Sequence, residues 1–272
     1  MTNTTNVTRL AYFKERYGPV AVVTGASSGT GKAFADELAA RGLDLVLVAR
    51  RLDRLEGIAR DLSAAHGSQV VNIQADLARV DAAEKIAAET ATLDVGLVVS
   101  NAGFSMKGDH ADNDPHAMTD MLMVNCHAPL QLTRVFIPRL RARGRGGIIL
   151  TSSVEGLMGC PYSGAYSASK ALVRALGEAL WAELREDGVD VLTLCPGATE
   201  SEGLARSGYD PAKMPNVMKA ADVVARTLDR IADGPIFVSS DHYRAMFEKL
   251  SAMPRGEALM AMAAGIKAAG PR

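Results

Sequence analysis

The chain has 272 residues, 48% of them hydrophobic and 22% charged, with a formal net charge of −1. That length suits one large α/β domain with a sizeable core, and the near-zero charge removes any general electrostatic case for nucleic acid or an anionic membrane surface as partner. Cys126, Cys160 and Cys195 are odd in number and far apart, and the five histidines (His66, His110, His116, His127, His242) lack ligand spacing, so no disulfide framework and no metal are expected and a reducing cytoplasm fits.

Met1 to Thr8 is polar and lacks the apolar stretch of a signal peptide. No run approaches the ~18 apolar residues of a membrane span. Leu10 to Tyr17 predicts a short leading helix, and the compact, β-branched Pro19 to Thr24 a buried first strand. Gly25-Ala26-Ser27-Ser28-Gly29-Thr30-Gly31 follows, then Lys32 to Arg41 at helical period, closed by Gly42. Leu45 to Ala49 is strand two and Asp53 to Ala65 the next helix. Val70 to Gln74 is strand three, trailed by Asp76 and a helix over Asp81 to Ala91. Val95 to Ser100 is strand four and runs into Asn101-Ala102-Gly103. His116 to Arg143 reads as one long helix, kinked or broken by Pro129 and Pro138. Gly146 to Thr151 is strand five, Gly164 to Asp187 a long helix, Val189 to Leu194 strand six, Ala220 to Ala232 a helix and Pro235 to Val238 strand seven. Helices over Tyr243 to Leu250 and Glu257 to Ala269 make up a tail, 241–272.

Strands alternating with helices predict one α/β domain over 1–272, a doubly wound parallel sheet of about seven strands with helices on both faces. The one irregular stretch, Thr199 to Lys219, is rich in Gly, Pro and polar residues. It is expected to be a substrate-binding loop, with a plain surface excursion as the alternative.

The residues that carry chemistry fall at strand ends. Gly25, Gly29 and Gly31 allow a tight turn and close approach to a pyrophosphate, with the next helix aiming its amides at the charge. Ser27 and Ser28 add hydroxyls. Strand two ends in Arg50-Arg51, where an acid would bind the ribose 2′-hydroxyl of NAD; arginine suits a 2′-phosphate. NADP(H) is therefore expected ahead of NAD(H), with Arg50 the main contact and Arg51 the more readily a solvated charge. Tyr166 and Lys170, four apart, share a helix face about 5–6 Å apart at Cβ. An ammonium beside a phenol lowers the phenol pKa, bringing proton exchange nearer neutral pH. Ser153 follows strand five and can point its hydroxyl into the same cleft. The plainer reading of Tyr166 and Lys170 is an ordinary pair on a helix surface.

Together these motifs resemble those of the classical short-chain dehydrogenases/reductases. Thr24 to Gly31 matches TGxxxGxG, with Thr30 in place of the commoner Ile, and Asn101-Ala102-Gly103 matches NAG. Asn125, Ser153, Tyr166 and Lys170 match the catalytic tetrad, with thirteen residues from Ser153 to Tyr166, and Pro196-Gly197 matches the PG motif after strand six. The match runs from Val20 to Val238 and implies a Rossmann-type fold. It implies that Tyr166 is general acid in reduction and base in oxidation. Lys170 would hold the nicotinamide ribose and lower the Tyr166 pKa; Ser153 would polarise the substrate oxygen; Asn125 would anchor a water relaying protons to Lys170. Asp76 would touch adenine, Asn101 the adenine ribose and Thr199 the carboxamide, with Gly103, Pro196 and Gly197 beside them. A homodimer or homotetramer is also implied. Plainer roles stay open: Asn125 as a polar residue in a helix, Asp76 in a turn, Thr199 as a cap, Ser152 as structural.

Phe104, Met158, Cys160, Tyr162 and the Ser201 to Met218 loop are placed to line a pocket, which suggests a hydrophobic ketone or secondary alcohol. The expected function is NADP(H)-dependent carbonyl reduction or alcohol oxidation on a small molecule. The alternatives are a dinucleotide-binding regulatory protein on the same fold and, from the Met/Ala-rich tail, a lipid-associated reductase.

Overall fold

The computed structural model describes residues 2–206 and 216–269. In chain order it runs α1 (Thr2–Tyr17), β1 (Val20–Thr24), α2 (Gly29–Ala40), β2 (Asp44–Ala49), α3 (Leu52–His66), β3 (Val70–Gln74), α4 (Ala82–Glu89) and β4 (Val95–Ser100). Then come α5 (Pro115–Leu122), a π turn (Met123–His127), α6 (Ala128–Arg143), β5 (Gly146–Thr151), α7 (Gly164–Glu183) and β6 (Val189–Cys195). The chain continues through α8 (Glu202–Arg206), α9 (Ala220–Leu228), β7 (Ile236–Val238), α10 (Asp241–Ser251) and α11 (Arg255–Ala269). No helix among the described residues is long and apolar enough to cross a membrane.

The strands form one sheet in the order β3-β2-β1-β4-β5-β6-β7, and every pair is parallel. Central strands such as Val20-Ala21-Val22-Val23 are apolar throughout because both faces are covered. Ala21, Val23, Leu47, Leu97, Val99 and Ile149 meet Phe34 and Leu38 of α2, Leu55 of α3 and Val223 and Val224 of α9. On the other face, Val22, Val46 and Val98 meet Ile86 of α4 and Phe136 of α6, and Ile148 and Val191 meet Val173 and Leu180 of α7. Strand order reverses between β1 and β4, which opens a crevice at the carboxyl ends of the strands, where ligands of such sheets bind.

Several helix boundaries differ from the sequence reading, α9 among them, which ends at Leu228 rather than Ala232. Helix α1 begins at Thr2, and its last turn is fastened to β6: Tyr17 Oη and Arg16 Nε donate to Asp190 Oδ2 at 2.7 and 2.6 Å. Helix α2 begins at Gly29, so the last two glycines of the turn lie in its first turn. Helix α7 ends at Glu183. The long helix expected over His116 to Arg143 is interrupted at Met123–His127, where the Ala128 N–H reaches back to the Met123 carbonyl. Pro129 comes at the start of α6 and has no N–H to offer the Asn125 carbonyl four residues back, so a proline does mark the irregularity, just downstream of it. Within the expected loop, Thr199 pairs with Met218 and α8 forms over Glu202–Arg206; positions 207–215 of that loop lie outside the described residues.

Candidate active site

Gly25 closes β1 at φ +68°, its N–H bonded to the Val48 carbonyl at 2.9 Å. A Cβ on Gly25 would sit 2.9 Å from Ala102 Cα, and one on Gly31 would sit 2.1 Å from the Gly25 carbonyl oxygen. Only hydrogen fits at either place, so α2 can start directly over the turn. Ser28 caps α2 in an extended conformation without a side-chain bond to the helix amides. The first-turn N–H groups, Thr30 among them, are left for an anion.

The Ser27 and Ser28 hydroxyls are taken by Arg51, whose Nη2 lies 2.9 and 3.1 Å from them. Arg51 Nη1 also meets Glu202 at 2.9 Å, and Arg54 bonds the other oxygen of that carboxylate. These two arginines, Arg54 first, hold the Glu202 pKa down to about 2. Arg50, ranked above Arg51 from sequence, is exposed, and its carbonyl receives Gln74 Nε2 at 3.0 Å. Asp76 accepts the Ala78 N–H at 3.0 Å on an exposed turn.

Asn101 ties three strand ends together. Its N–H and that of Ala102 donate to Thr24 Oγ1 at 3.0 and 3.2 Å, its Nδ2 to the Thr24 carbonyl at 3.3 Å, and its Oδ1 accepts from Thr151 Oγ1 at 3.4 Å. Next to it, a Cβ on Gly103 would come 2.9 Å from Asn125 Oδ1 and 3.1 Å from Lys170 Nζ. That glycine keeps open the approach to both side chains.

Asn125, Ser153, Tyr166 and Lys170 come together at this end of the sheet. The π turn carries Asn125, buried, with Nδ2 donating to the Phe104 carbonyl at 2.9 Å and Ser169 Oγ at 3.1 Å while Oδ1 accepts the Phe104 N–H at 3.1 Å. Helix α7 carries Tyr166 and Lys170. Lys170 Nζ donates to the Thr151 carbonyl at 2.9 Å and lies 5.8 Å from the Tyr166 ring centre. Burial lowers the Lys170 pKa to about 8. Ser153 Oγ accepts the Glu155 N–H at 3.2 Å, which leaves its own proton free to donate. Ser152 donates to the Lys170 carbonyl at 2.7 Å and is structural, as expected.

One expectation about Tyr166 is corrected. Its phenol is held above the usual tyrosine range, first by burial and then by the Glu155 carboxylate, with the Ser153 hydrogen bond working the other way.

A family model for short chain dehydrogenases matches residues 19–211. The chain belongs to the short-chain dehydrogenase family. It is an enzyme of this family of oxidoreductases. A 7β-hydroxysteroid dehydrogenase of Clostridium sardiniense is 30% identical over 246 residues, 90% of this chain and 94% of that one. A structure solved in a study of 7β-hydroxysteroid dehydrogenase stereoselectivity superposes with a TM-score of 0.85 at 26% identity, covering 92% of this chain and 99% of the other. A Sphingobium yanoikuyae short-chain dehydrogenase in complex with NADPH superposes with a TM-score of 0.78 at 30% identity, covering 90% and 96%.

The walls of this short-chain dehydrogenase differ in part from the sequence reading. Phe104 is 37% exposed beside Asn125. Met158 and Cys160 are buried with Val154, Phe247 and Ala258 beneath α10 and α11. Tyr162 adopts φ +59° and has Lys267 Nζ 5.8 Å from its ring centre. Pro196 accepts the Val154 N–H at 3.1 Å and Thr199 Oγ1 donates to the Gly197 carbonyl at 3.0 Å. A Cβ on Gly197 would strike the Tyr243 ring at 2.1 Å. Sequence reasoning missed Tyr243, Glu202 and the Lys107–Glu155 ion pair beside Tyr166. Glu155, a charge two residues past Ser153 in an otherwise small and apolar stretch, was the one visible signal.

Proposed function

We propose that this protein is an NADP(H)-dependent oxidoreductase interconverting a bulky, hydrophobic ketone and its secondary alcohol. The observation that carries the reading is the convergence of Ser153, Tyr166 and Lys170 on one crevice that Gly103 keeps clear. Nicotinamide supplies or accepts the hydride. The glycine turn and the uncapped amides of α2 fit a pyrophosphate, and Arg51 with Ser27 and Ser28 fits a 2′-phosphate. Lys170 is the donor for the nicotinamide ribose. Ser153 and Tyr166 donate to the carbonyl oxygen as negative charge grows there, and Tyr166 releases its proton to that oxygen in reduction and takes it back in oxidation.

Similarity to a 7β-hydroxysteroid dehydrogenase and the exposed Phe104 support a polycyclic, steroid-like substrate. Three free, buried cysteines support a reducing compartment such as the cytoplasm, and the family resemblance supports a homodimer or homotetramer. The test is NADPH consumption with a panel of steroid and aryl ketones. Wild-type turnover abolished in Tyr166→Phe is the expected result. No wild-type turnover above background on any ketone or alcohol, alongside intact coenzyme binding, would favour the regulatory reading instead.

A further inference from the structure

Lys107 stands on the loop after β4, and Glu155 stands two residues past Ser153. They are 48 positions apart in sequence, yet the Lys107 ammonium bonds Glu155 Oε1 and also donates to Ser163 Oγ at 3.0 Å. Lys107 Nζ lies 5.2 Å from the Tyr166 ring centre, nearer than Lys170 Nζ at 5.8 Å. The second carboxylate oxygen, Oε2, is buried without a hydrogen-bond partner. A buried carboxylate oxygen left bare projects its charge into low dielectric rather than spending it on a donor. The Glu155 backbone N–H meanwhile holds Ser153 Oγ as an acceptor, so backbone and side chain of one residue bear on both hydroxyls of the crevice.

Resting on the reading of Tyr166 as the acid–base group, we propose that Glu155 and Lys107 form a charge pair that sets the pH at which Tyr166 gives up its proton. The titratable and polar groups that act on Tyr166 are Lys107 from the β4–α5 loop, Ser153 and Glu155 just after β5, Cys160 from the segment before α7, Lys170 from α7 and Cys195 from β6. Tyr243 of α10, its phenol raised mainly by burial, acts on Glu155 itself. Burial pushes the Cys160 and Cys195 thiols up to about 12 and about 11, so both are neutral over the working range. Lys107, Glu155 and Lys170 are left as the charges. Glu155 opposes phenolate formation, and Lys107, at ion-pair distance from Glu155 and against the ring, offsets it. The pair lets the crevice hold a neutral, proton-bearing tyrosine for reduction without locking it there. Glu155 and Lys107 are positioning residues; neither is required to touch substrate.

The test compares Glu155→Gln, Lys107→Gln and the double variant with wild type, each checked for folding by circular dichroism and thermal melting. Two readouts are taken: the pH dependence of kcat/KM for alcohol oxidation, and tyrosinate absorbance in the NADP+ complex minus that of the same protein carrying Tyr166→Phe. Glu155→Gln moves the Tyr166 inflection to lower pH, on the order of one unit for a charge several ångström away. Lys107→Gln moves it to higher pH, and the double variant falls between the two. A merely structural role would alter the level of the rate and leave the inflection in place. Inflections unmoved in both single variants, or moved in the same direction, overturn the proposal. Should Glu155→Gln fail to fold, the upward shift of Lys107→Gln carries the test alone and its absence overturns it. Failed turnover in wild type with tyrosinate shifts of the stated signs would remove the oxidoreductase reading and leave the charge pair standing.

Discussion

Arg51 Nη2 lies 2.9 Å from Ser27 Oγ, joining the residue two past the end of β2 to the middle of the glycine-rich turn. On the proposed reading, a guanidinium held at the glycine-rich turn by two serine hydroxyls would receive the 2′-phosphate of NADP(H). Arg51→Ala is expected to weaken NADPH binding by tenfold or more, about 1.4 kcal/mol or above, and to leave NADH nearly unchanged. Arg50→Ala, at an exposed position, is expected to do less. Calorimetric titration with both coenzymes decides it. Equal loss for both would mean that Arg51 shapes the turn rather than reading the phosphate.

In the free protein Glu202 already occupies Arg51 and Arg54. An incoming 2′-phosphate has to share or displace that carboxylate. Glu202→Gln is therefore expected to tighten NADPH binding several-fold, with little effect on NADH. Since the two arginines hold the Glu202 pKa down to about 2, Glu202 is charged throughout pH 6 to 8, and any variation of the gain over that range follows the second ionisation of the 2′-phosphate, at pH ~6. NADPH binding that weakens in the variant would mean that Glu202 orders the arginines for the coenzyme.

Tyr166→Phe keeps the ring on α7 and removes only the hydroxyl. Turnover is expected to fall on the order of 10²–10⁴-fold, the usual worth of a positioned acid or base. Coenzyme affinity and melting temperature should stay near wild type. Retained turnover would reassign the proton transfer to another group.

Each of the seven strands lies within one residue of its sequence reading, because a strand buried on both faces leaves a continuous apolar run bounded by polar punctuation. The π turn left no such trace: five residues, Met123–His127, are too few to establish a period, and its purpose shows only in the bonds from Asn125 to Phe104 and Ser169. Arg50 and Arg51 are indistinguishable as letters; the path of the chain after β2 turns one to solvent and the other to the serines. Lys107 has no local signal at all, since its partner lies 48 positions away. Met158 and Cys160 lie under α10 and α11, a covering from about ninety positions further along the chain that no local pattern announces. Charge partners and coverings are long-range facts, and the pattern of one sequence records them weakly.

Lys170 links catalysis to stability with a sign that can be worked out. It is 4% exposed, and burial brings its pKa from 10.5 down to about 8. Below about pH 8 both native and unfolded chains hold this proton, and the native state carries the full cost of a buried cation. From about 8 to 10.5 the native lysine loses its proton while the unfolded one keeps it, so the unfolded state binds more protons and stability rises with pH. Above 10.5 the cost is gone. Lys170→Met is therefore expected to be inactive yet more stable than wild type at pH 7, by about 3 kcal/mol, with the difference shrinking across that window. Denaturant unfolding of both proteins at pH 7, 9 and 10.5 measures it. A variant less stable than wild type at pH 7 would show that the hydrogen bond from Lys170 Nζ to the Thr151 carbonyl, 2.9 Å long, outweighs the cost of burying the charge.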